Sequence, residues 1–261
     1  MMNTNKGIYF LASACMAATG FAQEEEGDWK VIIGAGVFIE PITPGLSETE
    51  ADPLPYINIQ YKNRFFIGKH GIGGYVYKMP DEGHDEGFGV GLAVGMADGR
   101  KEDDYSSFLK GMGDIDEGLE ANLFFSGEVG FAEYEWSFSK GLDSKGHDGL
   151  HSELSISVGA PVMKNLFLEV GPFIHWSDSN YMQSFYGVTD VQASLSQFDE
   201  YTPGSGIDRV GLEMIGRTRL TDRWLLMGMV EYNSLLGDAK DSPLSEDNSY
   251  VSFGLAIGYE F

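Results

Sequence analysis

The last residues of the chain alternate. Val251, Phe253, Leu255, Ile257, Tyr259 and Phe261 occupy every second position, and Ser252, Gly254, Ala256, Gly258 and Glu260 lie between them. Successive side chains of a strand point to opposite faces, so this segment predicts a strand of about ten residues with one large apolar face and one small or polar face, the unit of a transmembrane barrel. The same period recurs upstream. Val31, Ile33 and Val37 oppose Lys30, Gly34 and Gly36; Phe88, Val90, Leu92, Val94 and Met96 oppose a row of Gly and Ala; Tyr134, Trp136 and Phe138 oppose Glu133, Glu135 and Ser137. Further copies place Leu119 and Leu123 against Glu120 and Asn122, Leu154 and Ile156 against Glu153 and Ser155, and Leu166, Leu168 and Val170 against Glu169 and Gly171. Two more set Leu212 and Met214 against Glu213, and Val230 and Tyr232 against Glu231 and Asn233.

A soluble β-sandwich alternates for the same geometric reason, and the connections decide between the two. Long polar segments (42–52, 99–115, 141–149, 178–206 and 237–248) alternate with tight turns (62–64, 126–130, 161–165 and 221–223), as the two ends of an outer-membrane barrel do. With both chain ends on the tight-turn side the strand count is even. Reading 64–78 as one strand gives eleven, so a break is required, and Lys69-His70-Gly71 is the polar, glycine-containing place for it. The fold class predicted is therefore all-β, a transmembrane antiparallel β-barrel of twelve strands, ten being the other even count the pattern allows. The 79–86 connection is then a long periplasmic turn. Trp29, Tyr56, Tyr61, Tyr134, Trp136, Trp176, Trp224, Tyr259 and Phe261 fall mostly at strand ends, where aromatic girdles mark the lipid interface.

The amino terminus reads differently. Lys6 precedes an apolar run over 7–18, and Gly20-Phe21-Ala22 precedes Gln23. This is the pattern of a secretory signal peptide, residues 1–22, and the run is shorter than the roughly 20 residues a spanning helix needs. The barrel domain is then 23–261. The chain's single cysteine, Cys15, lies in the signal and lacks the leucine usual three places before a lipidated cysteine, so the exported protein has neither a disulfide nor a cysteine-based zinc site. Of 261 residues, 17 are basic and 40 acidic, a formal charge of −23, which excludes nucleic acid as a partner because phosphate binding needs a basic face. Gly at 35 residues and aromatics at 13% suit many short strands and argue against disorder.

Five polar motifs give the loops an identity: G-R-K-E-D-D (99–104), K-G-M-G-D-I-D (110–116), G-H-D-G-L (146–150), Y-M-Q-S-F-Y-G-V-T (181–189) and L-L-G-D-A-K-D-S-P-L (235–244). In this order over the whole exported chain they resemble the MipA/OmpV family, the MltA-interacting protein family. The terminal Tyr259-Glu260-Phe261 resembles the assembly signal of bacterial outer-membrane barrels, read by the barrel assembly machinery. The resemblance implies residence in the outer membrane of a Gram-negative bacterium, among outer-membrane lipid and lipopolysaccharide. It also implies a scaffold joining a lytic transglycosylase to a penicillin-binding synthase, with porin-like or adhesin-like channels as the alternative.

The remaining chemistry divides between lumen and loops. Glu120, Glu133, Glu135, Glu153, Glu169, His175, Arg209, Glu213, Arg217 and Glu231 alternate with the apolar set and so face the lumen; carboxylates outnumber fixed cations there, so an open channel would favour cations. The competing use is pairing of Arg209, Glu213 and Arg217 with neighbouring strands. Arg100, Lys110, Gly111, Gly113, Asp114, Asp116, His147, Asp148, Tyr181, Gly187 and Asp238 belong to the long loops, expected to pack over the mouth as an internally paired plug. No catalytic constellation is expected: His151 and Ser152 are adjacent and point to opposite faces, and no G-x-S-x-G occurs. His147, Asp148, His151 and Glu153 have metal-ligating chemistry, but G-H-D-G reads more simply as a tight loop capped by Asp148. No metal and no cofactor are therefore expected.

Overall fold

The computed structural model describes residues 28–79, 86–104, 107–143 and 146–261. Twelve antiparallel strands close into one barrel: β1 (Trp29–Pro41), β2 (Thr49–Tyr61), β3 (Phe65–Gly68), β4 (Gly71–Lys78), β5 (Glu86–Ala97), β6 (Gly118–Val129), β7 (Ala132–Gly141), β8 (Leu150–Met163), β9 (Leu166–Ser177), β10 (Gly206–Arg219), β11 (Trp224–Leu235) and β12 (Ser249–Glu260). Each pairs with its sequence neighbours, and β12 returns to β1 with Val37 opposite Leu255 and Ile32 opposite Glu260. Closure joins the first strand to the last, which is what lets a sheet cross lipid. No described helix is long and apolar enough to cross a membrane.

Burial is inverted relative to a soluble sheet. Leu92, Leu119, Ile156, Leu212, Phe253 and Leu255 are exposed on the outer surface, while Asn122, Glu169, Asn233 and Ser252 are buried on the inner one. Exposed large apolar residues together with buried polar ones are informative, and here they occur on alternate residues of the same strands. Trp29, Trp136, Trp176, Trp224 and Phe261 stand outward as a girdle requires. Tyr56 does not: it points inward and packs with Leu54, Met227 and Ala256. Its parity on β2 is that of Asn58, so the alternation that places Asn58 in the lumen places Tyr56 there too.

Most strands run 12 to 14 residues, enough to span a bilayer when tilted. The exceptions are the four residues of β3, the eight of β4 and the ten of β7. The break between β3 and β4 falls at Lys69-His70, where polarity and Gly71 predict it; Gly71 has a φ of 94°. This short hairpin turns its apex into the barrel, where His70 stacks on Phe124 with centroids 4.3 Å apart and the His70 carbonyl accepts from Asn122 Nδ2 at 3.1 Å. The β2–β3 ladder covers only Ile59 to Tyr61. Pro53 and Pro55 lie farther along β2, on the parity that faces away from β1, since Lys62 N of the opposite parity donates to Asp28 O. Proline has no N–H to give a ladder, and there it costs none.

The tight turns are shorter than the polar stretches suggest. β6 continues to Val129 and leaves Gly130-Phe131 as the turn, and β8 continues through Pro161 to Met163 across a register shift, the kind of irregularity that accommodates a proline in a sheet. The long segment 178–206 is not structureless: it holds α1 (Ser179–Tyr186) and α2 (Asp190–Leu195), and α3 (Gly237–Lys240) follows β11. The signal-peptide segment 1–22 and most of the 79–86 turn lie outside the described residues.

Candidate functional site: the loop plug and the seam beneath it

Four long loops meet over one mouth of the barrel. Leu46 from the first, Leu109 and Met112 from the second, Val188 from the fourth and Leu244 from the last form one buried cluster. Ile115, Met182, Phe185, Tyr186, Leu235 and Ala239 form another beneath it. Apolar area removed from water is the dominant favourable term here as in any core. Local polar bonds also fix the pieces. Asp178 caps α1 by accepting from Tyr181 N at 2.9 Å, and Thr189 with Gln192 makes a capping box on α2, each satisfying backbone donors a helix start leaves open. Gln192 Nε2 then donates to Met112 O at 2.6 Å and Gln197 Nε2 to Phe108 O at 3.2 Å, tying the 178–206 loop to the 98–117 loop.

The residues singled out for the plug have distinct places. Arg100 is 2% exposed, donates to Phe185 O at 3.4 Å and pairs as an isolated bridge with Ile115; burial pulls its guanidinium down to about 10. Asp114 accepts from Glu102 N, and Asp116 takes Lys101 Nζ at 2.5 Å, a bond that holds the Lys101 ammonium above its usual range. Lys110, expected inside the paired set, is exposed on a turn. Lys101 serves instead, because the Arg100–Ile115 bridge brings it level with Asp114 and Asp116. Gly111 and Gly113 both have positive φ, and Gly113 N donates to Glu102 Oε2. Gly187 caps the carboxyl end of α1. Asp238 accepts from Gly204 N at 2.7 Å through its carboxylate and from Tyr201 Oη through its carbonyl. Asp148 is exposed and takes part through its backbone, its carbonyl accepting from Lys140 Nζ.

Below the plug the lumen is charged and cross-braced. Arg217 Nη2 meets Glu169 Oε2 at 2.7 Å while Ser157 donates to Glu169 Oε1, and Lys69 reaches Glu135 at 2.5 Å with His70 3.3 Å from the same oxygen. Asn233 donates to Glu231, and Arg209 Nη1 lies 3.3 Å from Tyr250 Oη. Glu133 and Glu213 line, with Arg217 and Glu169, a cavity of about 390 Å³ that extends to Arg64, Glu128 and Glu260 at the tight-turn end. Phe66, Phe124, Phe167 and Phe173 supply much of its apolar wall.

At the seam between plug and lumen the structure joins residues that the sequence leaves apart. Glu120 of β6 has one oxygen, Oε1, 3.1 Å from His147 Nε2 and 2.9 Å from His151 Nε2. His151 Nδ1 lies 3.1 Å from His175 Nε2, and His175 Nδ1 lies 2.8 Å from Asp208 Oδ1, which also accepts from Ser177 Oγ at 3.1 Å. Tyr181 on α1 covers the group, its ring 5.0 Å from that of His147 and 4.8 Å from that of His151. Asp208 escapes an alternation reading because the β9–β10 register shifts between Ile207 and Arg209. The bulge lets consecutive residues both turn inward. Ser177 donates to the acid rather than to an imidazole, and Ser152 binds Trp136 Nε1 on the opposite face, so neither serine stands in the nucleophile–base–orienter order of a triad.

No curated protein sequence matches the chain. Among solved structures it is similar to outer-membrane expressed OmpT of Vibrio cholerae, at 9% identity over 90% of this chain and 97% of that one, TM-score 0.39. A FadL homologue of Pseudomonas aeruginosa is similar at 11% identity over 88% and 89%, TM-score 0.36. The attachment invasion locus protein Ail of Yersinia pestis is similar at 11% identity over 89% and 97%, TM-score 0.23. The family model of MltA-interacting protein MipA matches residues 33–261. With that match over nearly the whole barrel, the chain belongs to the MltA-interacting protein family and is a β-barrel of the Gram-negative outer membrane.

Proposed function

We propose that the protein acts as a binding barrel, a scaffold that holds peptidoglycan-remodelling enzymes at the outer membrane and has no catalytic activity of its own. The observation that carries this reading is the packing of four loops into two apolar clusters over the mouth, a use of long loops that stoppers a pore. The family description, an MltA-interacting protein, supplies the class of partner: a lytic transglycosylase, and with it a penicillin-binding synthase. The docking face is the tight-turn end, which faces the periplasm in barrels of this kind. Its described components include the 62–64 turn, Gly130-Phe131 and the turn between β10 and β11.

A small cation-leaning porin is the second reading, favoured by the acid-rich lumen and its cavity. The two part cleanly in experiment. Purified protein immobilised in detergent should retain a lytic transglycosylase and a penicillin-binding synthase from a periplasmic extract, and the same preparation should show little conductance in a planar bilayer. Large conductance without retention of either enzyme would reverse the choice.

A further inference from the structure

The seam has a proton count that hydrogen bonding alone does not balance. From Glu120 through His151 and His175 to Asp208 there are three contacts, each between 2.8 and 3.1 Å. Each needs one proton, and two neutral imidazoles carry two. If His175 Nδ1–H donates to Asp208 and His151 Nδ1–H donates to His175 Nε2, both rings are neutral and well partnered, but the bare lone pair of His151 Nε2 faces the Glu120 carboxylate. Two electron-rich atoms at 2.9 Å call for a cation between them, either a third proton or a metal ion.

We propose that Glu120 Oε1, His147 Nε2 and His151 Nε2 bind a divalent transition-metal ion of the zinc class. The three atoms all lie within 4.8 Å of one another. Ligands of a tetrahedral zinc ion at about 2.0–2.1 Å stand roughly 3.4 Å apart, so the two observed oxygen–nitrogen separations need to open by only a few tenths of an ångström. Two imidazoles with one carboxylate suit zinc and its neighbours rather than calcium or magnesium. The outer partner of one ligand also fits: a ligating histidine ordinarily gives its other N–H to a carboxylate, a carbonyl or another polar group that fixes its tautomer, and the His175–Asp208 pair does this for His151, while His147 Nδ1 is buried without a hydrogen-bond partner among the described residues.

The site is enclosed without being sealed. The His147 side chain is 2% exposed and that of Glu120 10%, while His151 keeps 21%, leaving a path for an ion. Its ligands come from β6, the loop after β7, and β8, three neighbouring segments of the wall and its rim. A bound ion would pin the 142–149 loop to the barrel directly beneath Tyr181, making the metal a floor for the plug.

The test uses the full exported chain without a histidine tag, in detergent and stripped with chelator. Equilibrium dialysis should give one Zn²⁺ per chain, and Co²⁺ should give the strong visible bands of a tetrahedral site. Glu120→Gln and His151→Ala should each weaken binding by about 100-fold or more. His175→Ala, which leaves all three ligands in place, should weaken it about 10- to 100-fold. Heat-modifiable migration reports whether each variant is folded. Absence of stoichiometric Zn²⁺ at tens of micromolar, or uptake unchanged by both ligand substitutions, overturns the proposal and leaves the third proton as the answer. Should the variants fail to fold, X-ray absorption on the zinc-loaded wild type decides: a shell of two imidazoles and a carboxylate oxygen supports the site, and any other shell overturns it.

Discussion

At the scale of single residues, backbone conformation and close approach set the strictest demands. Gly111 has a φ of 90°, and a Cβ there would lie 2.2 Å from the carbonyl oxygen of Leu195 in the neighbouring loop. Both the left-handed conformation and the contact exclude a branched side chain. Gly111→Val should therefore destabilise the plug by about 2 kcal/mol or more, seen as faster proteolysis of the 98–117 and 178–206 loops while the barrel itself stays heat-modifiable. Phe261 makes a different kind of contribution. It is 71% exposed, its N–H donates to Val31 O across the β12–β1 seam, and its ring meets Tyr259 at 4.9 Å. Deleting it removes the last closing bond and the terminal aromatic that resembles the assembly signal. Folded yield, measured as the heat-modifiable fraction in outer membranes, should fall sharply; an unchanged yield would show that closure proceeds without it.

Among the elements, α1 is the hinge between loop packing and lumen chemistry. It is eight residues long, too short to be stable alone, and it is held by the Asp178 cap and by the burial of Met182, Phe185 and Tyr186. Losing such a cap costs about 1 kcal/mol, so Asp178→Ala should loosen α1 without unfolding the barrel, and amide exchange should rise first at Tyr181 and Met182. His147 ties the loop after β7 to α1, its ring packing against Tyr181 and Phe185. Excising residues 146–149 removes that ring and the cover over Glu120. Single-channel conductance should rise if the loops stopper the lumen, and should stay flat if the pore is closed by the cross-braced charges below.

For the whole molecule, the decisive property is the inside-out distribution of apolar surface. A chain with exposed Leu119, Leu212, Phe253 and Leu255 on its outer face and Asn233 and Ser252 buried within has lipid for its outer solvent. The protein should sediment with outer membranes and migrate on gels in a heat-dependent way; recovery from the soluble periplasmic fraction would contradict this. Acidic residues far outnumber basic ones over the chain, yet Arg217 with Glu169 and Lys69 with Glu135 neutralise part of the lumen locally. Net charge is therefore a poor guide to whether ions pass.

The period-two pattern marked the strands and their lumen-facing glutamates, because a strand's side chains alternate without reference to anything distant, and the alternation of long and short connections then determined the class and an even strand count. Turn chemistry and even parity likewise placed the break at Lys69-His70, a local signal in polar residues and glycine. The loop motifs were legible as a family resemblance, but their packing was not. Helices α1 and α2 are too short for a reliable periodic signal, and Lys101 rather than Lys110 pairs with the acids because a bridge at Arg100 sets the register. Tyr56 went inward by the alternation itself, against its placement at a strand end. Above all, only tertiary structure could assemble Glu120, His147, His151, His175 and Asp208, which come from β6, a loop, β8, β9 and a bulge in β10. Barrel closure sets neighbouring strands side by side whatever their separation in sequence, and the bulge reverses the parity on which any prediction of Asp208 would rest.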